Sequence, residues 1–406
     1  MVKKNLLAAQ SGGPTAAINA TLAGIIEEAK KHSEIDKIYG AIHGIEGVFN
    51  QNIIKLNDID TKLLSQTPSA YLGSCRNKLP EPEKDTDGVY EKIFSYFEKK
   101  NIKYFLYIGG NDSMDTVCKL SKYADVNGKD VRIIGVPKTI DNDLDITDHT
   151  PGFGSAAKYI AATMQGIVRD SQVYYLKSVT IVEIMGRHAG WLTASAALAR
   201  TKTECAPHLI YLPEAVFSAD KFISDVNEKL AAGINNVIVA VSEGIKDENG
   251  KFISENDNGV FDAFGHTSLS GAGKALENLV KNKIGCKVRS IELNVCQRCA
   301  GYLISKTDIT ESKRIGAAAV KAAVKGESGK MMVFERISTE PYKIKIKPVD
   351  ISKIANVEKK VNMSDIINGN DISKRLINYL KPLIMGEVKL TYTNGIPDVL
   401  YRKSKK

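Results

Sequence analysis

Cysteine is scarce in this 406-residue chain: six residues, Cys75, Cys118, Cys205, Cys286, Cys296 and Cys299, lie scattered along it. So few thiols in so long a chain exclude a disulfide framework. Cys296-Gln297-Arg298-Cys299 has no second pair at zinc spacing, so neither a zinc site nor a redox pair is read from it. Long apolar runs are missing too. None approaches the roughly 20 residues that cross a bilayer, and Met1–Asn5 precedes only the short stretch Leu6–Ala9, with no small-residue cleavage site. The expectation is a cytoplasmic protein without a membrane partner. There is no low-complexity tract and no short repeat. The formal charge is +9, yet the only dense basic run is Arg402-Lys403-Ser404-Lys405-Lys406. Without a basic stripe or a known nucleic-acid module, no nucleic-acid partner is expected, and the modest positive excess suits small anionic substrates.

What is present is ordinary for a globular protein: 43% hydrophobic and 25% charged residues, with enough length for two or three domains. Leu6–Ala9 reads as a strand, followed by Ser11-Gly12-Gly13-Pro14-Thr15 and a helix over 16–31. Tyr104–Ile108 is a second strand, followed by Gly109-Gly110-Asn111-Asp112-Ser113 and a helix near 114–122. Val131–Val136 is a third. Beyond residue 150 the alternation resumes, with helices at 156–170, 190–200, 219–232 and 312–325. Strands fall at 179–184, 208–212, 236–241 and 289–295. Asp247–Gly259 reads as a polar surface loop, and from about Tyr342 lysine alternates with isoleucine before a helical pattern. Strands separated by helices predict an α/β fold with mostly parallel sheets.

Chemistry concentrates in Pro137-Lys138-Thr139-Ile140-Asp141-Asn142-Asp143, at the end of a buried strand. Open α/β sheets bind ligands outside the carboxyl ends of their strands. A cation for a phosphoryl group and a carboxylate to take a proton from an alcohol are what phosphoryl transfer to a hydroxyl requires. A solvated turn or a helix cap would use the same residue types. A calcium loop is excluded, because Ile146 and Gly152 stand where its glycine and glutamate belong. Gly12-Gly13 and Gly109-Gly110 allow close backbone approach at helix starts that favour anions, although a tight turn needs no more, and Asp112 could merely cap its helix. There is no G-x-G-x-x-G. Gly273-Lys274 is no P-loop, since Ala275 follows it and Ser268 occupies the first glycine position. Met185-Gly186-Arg187-His188 and Glu243 end strands, and Arg289 and Arg298 bracket another. Arginines so placed can grip phosphate, and Glu243 can accept from sugar hydroxyls, with surface ion pairs the plain alternative.

Ser11-Gly12-Gly13, Gly109-Gly110-x-Asp112-Ser113, Pro137–Asp143, Met185-Gly186-Arg187 and Gln297-Arg298 together resemble the phosphofructokinases, in family order and spacing over roughly the first 310 residues. The resemblance implies two neighbouring three-layer α/β domains with the active site between them. Residues 1–150 with about 297–340 would form a donor domain, and about 151–296 with 341–406 a sugar-phosphate domain carrying a C-terminal extension. It implies phosphorylation of the 1-hydroxyl of fructose 6-phosphate. Members using ATP typically carry glycine at the positions of Asp112 and Lys138, whereas members using inorganic pyrophosphate carry aspartate and lysine, as here. An Asp112 carboxylate would repel the α-phosphate of ATP, and Lys138 would neutralise pyrophosphate in the transition state.

By the same resemblance Asp141 would be the general base, supported by Asp143. Thr139, Ile140, Met185, Gly186, Arg187, Glu243 and Arg298 would bind the sugar phosphate, joined by Arg289 from a neighbouring subunit. Gly13, Arg76, Gly110, Asn111 and Ser113 would face the donor. The implied reaction is reversible, Mg²⁺-dependent, part of glycolysis or gluconeogenesis, and run by a homodimer or homotetramer. Three departures stand out. Asn111 replaces a frequent magnesium-binding aspartate, so an amide oxygen would hold Mg²⁺ or its water without adding charge. Ser178, beside Lys177, replaces an intersubunit arginine of bacterial ATP enzymes. Val295 and Cys296 reshape the sugar pocket, so that sedoheptulose 7-phosphate is a conceivable substrate. The alternatives are an ATP-dependent 6-phosphofructokinase that tolerates Asp112 and a silent sugar-phosphate-binding regulator.

Overall fold

The computed structural model describes residues 3–253, 271–354 and 357–402. The expected loop beyond residue 253, Ser268 and Lys403–Lys406 lie outside the described residues. The first five strands are β1 (Lys4–Gln10), β2 (Ile35–Ala41), β3 (Ile53–Lys55), β4 (Ile102–Gly109) and β5 (Arg132–Pro137). They are followed by β6 (Ser178–Ile184), β7 (Leu209–Tyr211), β8 (Asn236–Ser242) and β9 (Lys287–Glu292), then by β10 (Lys330–Thr339) and β11 (Tyr342–Asp350).

A seven-stranded sheet has the order β11-β10-β5-β4-β1-β2-β3, and a four-stranded sheet has the order β7-β8-β6-β9. Parallel pairing runs from β10 through β5, β4 and β1 to β2, and throughout the smaller sheet. This is the mostly parallel α/β architecture expected. Parallel strands covered on both faces must be apolar throughout, and Leu6, Leu7, Ala8 and Ala9 are all fully buried.

Register decides where the loops emerge. Gln10 lies beside Ile108, Ile108 beside Val136, and Gly109 beside Pro137, so β1, β4 and β5 end on one edge. In the smaller sheet Ile184 lies beside Ser242, and Glu183 beside Glu292. Helices Ile18–Ala29 and Lys306–Val324 cross in close contact over the large sheet. A Cβ on Gly24 would come 2.1 Å from the Lys313 carbonyl oxygen, and one on Gly316 2.2 Å from that of Thr21, so only glycine permits the crossing. Helix Phe153–Ser171 packs instead on the core of the smaller sheet, with Leu376, Leu380 and Leu383.

The structure corrects the expected division at residue 340. Tyr342–Asp350 pairs antiparallel with β10, from Lys330↔Asp350 to Thr339↔Tyr342, and so extends the large sheet. The alternation of lysine and isoleucine is that of an edge strand with one face packed. Only after Asp350 does the chain cross over, and Val361, Ile372 and Leu376 join the second core. Leu400 returns to the first, its N–H donating to Thr67 Oγ1 at 2.8 Å. Arg298 likewise follows a 3₁₀ turn, Asn294–Gln297, rather than ending a strand. Among the described residues no helix is long and apolar enough to cross a membrane.

Candidate active site

The loops from the two sheet edges enclose two adjoining cavities of about 330 and 630 Å³. The larger is walled by the loops after β1 and β4: Gly12, Gly13, Gly110, Asn111, Asp112 and Ser113. Gly12 adopts φ +78, and a Cβ there would lie 3.0 Å from Lys138 Nζ. Lys138 continues the β5–β4 ladder, its N–H donating to the Gly109 carbonyl at 2.9 Å. Its buried side chain donates to the Gly13 carbonyl at 2.7 Å. Asp112, in the first turn of helix Asn111–Val126, is half-exposed and pairs with Lys78 at 3.1 Å.

Gly13, Arg76, Lys138, Thr139, Asp141 and Asp143 border both cavities. The loop that carries four of them is built from local bonds. Thr139 Oγ1 accepts from the Asp141 N–H at 3.1 Å, and Thr150 Oγ1 donates to the Thr139 carbonyl at 2.8 Å. Asn142, fully buried at φ 54, turns the chain in the left-handed region that asparagine tolerates. Its side-chain amide donates to Tyr379 Oη at 3.1 Å. The carboxylates on either side of it thereby face the same space.

Burial governs their charge. It holds the Lys138 ammonium down at about 8, against the pull of Asp141 and Asp143. It raises Asp141 despite nearby Lys138 and Arg298, and pushes Asp143 to about 7 with help from Asp141. Among the described residues Asp143 Oδ1 is buried without a hydrogen-bond partner.

The smaller cavity extends toward the second sheet, where Ile140, Met185, Gly186, Arg187, Glu243 and Arg298 line it. The Gly186 N–H donates to Glu243 Oε1 at 3.2 Å, and the Met185 N–H to Gln297 Oε1 at 3.3 Å. Burial pushes Glu243 to about 7. Arg289 does not join this group. It lies on β9, half-exposed, and pairs with Asp170 at 2.9 Å.

Three features were not foreseen. Glu358 borders both cavities and Lys360 the larger one. Glu214 accepts from the backbone of both Gly190 and Val361 at 2.9 Å. His149 is buried between Asp148 and Glu311, behind the loop. Residues 357–361 come from a segment with no motif, and only the charged run Glu358-Lys359-Lys360 hinted at them.

A family profile described as "Phosphofructokinase" matches residues 5–323. The chain is 42% identical over 411 residues to the pyrophosphate--fructose 6-phosphate 1-phosphotransferase of Xanthomonas campestris pv. campestris, covering all of this chain and 97% of the relative. To the enzyme of the same name from Halomonas elongata it is 38% identical, over 98% of this chain and 96% of the relative. Its fold matches the crystal structure of pyrophosphate-dependent phosphofructokinase from Nitrosospira multiformis with a TM-score of 0.88 and 38% identity, covering 98% and 96% of the two chains. With a family profile over most of its length and relatives and a fold matching along nearly the whole chain, the chain belongs to the phosphofructokinase family.

Proposed function

We propose that the protein transfers a phosphoryl group from inorganic pyrophosphate to the 1-hydroxyl of fructose 6-phosphate, giving fructose 1,6-bisphosphate and phosphate, in both directions. The observation that carries this reading is that Lys138 and Asp112 line one cavity. A buried cation there suits a compact polyanion, and a carboxylate at the head of the helix opposes a third phosphate. The full-length relatives named for the same reaction support it.

In this reading the sugar lies in the smaller cavity, its phosphate on Arg187 and Arg298, with Arg289 supplied by a neighbouring subunit of a homodimer or homotetramer. Met185, Gly186, Ile140 and Thr139 shape its bed, and Glu243 accepts from its hydroxyls. Asp141 takes the proton of the 1-hydroxyl as that oxygen bonds to the nearer phosphorus of pyrophosphate. The bridging bond breaks and phosphate leaves, its charge met by Lys138. Asp143 holds Asp141 in its charged surroundings. Gly13, Gly110, Ser113 and Arg76 seat the donor. The first sheet with the loops it carries serves the donor, the second the sugar.

The residues present fit a magnesium ion. Oxygen ligands suit it, and the buried Asp143 Oδ1 without a partner is an acceptor that a cation or its water would satisfy. Asp143 and Asn111 would hold it, directly or through water, which leaves Asp141 to act as the base. Bound with pyrophosphate, it would neutralise donor oxygens. A cytoplasmic setting fits a glycolytic or gluconeogenic step on soluble substrates.

The test is formation of fructose 1,6-bisphosphate from fructose 6-phosphate and Mg²⁺ with pyrophosphate or ATP. Turnover with pyrophosphate and little with ATP is expected. The reverse preference would overturn the donor assignment, and binding of the sugar without turnover on either donor would overturn the activity.

A further inference from the structure

We infer that Lys360 is a donor-binding residue, delivered to the larger cavity by a strap formed by residues 357–361; this rests on the function proposed above. The strap crosses the mouth between the two sheets and is tied to both. On the donor side Asn111 Nδ2 donates to the Val357 carbonyl at 3.1 Å, and the Lys359 N–H donates to the Asp143 carbonyl at 2.7 Å. Leu144 and Glu358 form an antiparallel bridge. On the sugar side Trp191 Nε1 donates to the Lys359 carbonyl at 3.0 Å, the Val361 N–H reaches Glu214, and His188 lies 3.2 Å from Glu358.

Successive side chains of an extended segment point to opposite sides. Lys359 points inward: its Nζ donates to the carbonyls of Thr147 and Asp148 at 3.0 and 2.8 Å. Glu358 and Lys360 take the other side, and both border the larger cavity. The charge there leaves a role for Lys360. Asp112, Asp141, Asp143 and Glu358 line the same space against Arg76, Lys138 and Lys360. A polyanion entering beside four carboxylates gains from each cation on the wall. Lys138 is buried and bound to Gly13, whereas the exposed Lys360 side chain is able to swing onto a bound phosphate.

The experiment compares wild type, Lys360→Met and Lys360→Arg by titrating Mg²⁺-pyrophosphate calorimetrically into the full protein, alongside KM for both substrates. Lys360→Met is expected to weaken pyrophosphate binding roughly tenfold, the worth of one charge-assisted hydrogen bond. KM for fructose 6-phosphate should stay within about twofold, because an exposed donor-side cation does not touch the sugar. Lys360→Arg should keep most of the affinity. Unchanged pyrophosphate binding in an active Lys360→Met variant overturns the role of Lys360 alone, as does an equal loss for both substrates. A wild type that neither binds nor uses pyrophosphate overturns the proposed function itself.

Discussion

Lys138 Nζ donates a 2.7 Å hydrogen bond to the Gly13 carbonyl oxygen, so the ammonium that faces Asp141 and Asp143 is moored to the loop after the first strand. A charge so fixed acts on a transition state without reorganising. Lys138→Met should therefore lower kcat with pyrophosphate by about 10²–10³-fold, the usual loss for one preorganised donor. Steady-state assays in the forward direction measure this, and a loss confined to KM would assign Lys138 to ground-state binding instead.

Lys138 and the two carboxylates it faces set the pH dependence. A base must be ionised, so kcat/KM should rise with pH through the raised carboxylates, with Asp143 at about 7. The lysine must be protonated, so the rate should fall as pH passes about 8, where burial holds Lys138. Because kcat/KM reports the free enzyme, a narrow bell between those limits is expected. Lys138→Arg should remove the alkaline limb in whatever activity remains, since a guanidinium does not deprotonate there. Asp143→Asn should move the acid limb down by deleting a like charge beside Asp141. Limbs that stay in place in both variants would exclude these two groups.

Asp141→Ala is expected to cut kcat by about 10²–10⁴-fold, the range for losing a general acid–base group. Fructose 6-phosphate affinity should change far less, because Arg187, Arg298 and Glu243 on the opposite wall remain. Product formation over a long time course, with calorimetric binding of the sugar, checks both halves. Turnover like wild type would remove Asp141 from the proton transfer.

Much of this cleft was legible because its parts are consecutive. Lys138, Asp141 and Asp143 sit on one loop behind an apolar strand, and glycine pairs after two other strands announced the facing walls. Alternation alone gave the parallel core. The second strand, Ile35–Ala41, was hidden, since its exposed Asp36 and Lys37 break the apolar run. Tyr342–Asp350 was misplaced because it joins an edge by long-range antiparallel pairing that no local pattern encodes. The strap was invisible for the opposite reason. Glu358 and Lys360 acquire meaning only where Asn111, Asp143 and Trp191 hold their backbone across the cleft.

Asp112 offers a separate handle on the donor. It is half-exposed, bordering the larger cavity and paired with Lys78. On the proposed reading, Asp112→Gly removes a charge that would oppose a third phosphate, so turnover with ATP should become measurable or rise several-fold while turnover with pyrophosphate falls. Parallel assays with the two donors give the ratio. An unchanged ratio would show that exclusion of ATP lies elsewhere on the wall.

His149 carries a prediction about stability. Its ring is buried, with Nδ1 2.8 Å from Asp148 Oδ2 and Nε2 2.7 Å from Glu311 Oε2, and it stacks on Phe334 at 4.5 Å. Two ionised carboxylates on the two ring nitrogens each call for an N–H donor, which favours the imidazolium. Burial opposes the charge, but the bonds to Asp148 and Glu311 outweigh it and raise the pKa. Arg336 shares Asp148 at 2.9 Å, while among the described residues His149 is the cation paired with Glu311, beside the Tyr342 hydroxyl. His149→Ala would strand a buried carboxylate, and breaking such a group typically costs about 3–5 kcal/mol. A histidine raised on folding stabilises fully below its ordinary value of about 6.5 and loses that contribution as pH climbs through the raised value. The stability gap between wild type and His149→Ala should therefore be widest on the acid side of neutrality and shrink toward alkaline pH. Urea unfolding of both proteins across that range measures it, and a gap that is flat or grows with pH would mean that His149 is held neutral.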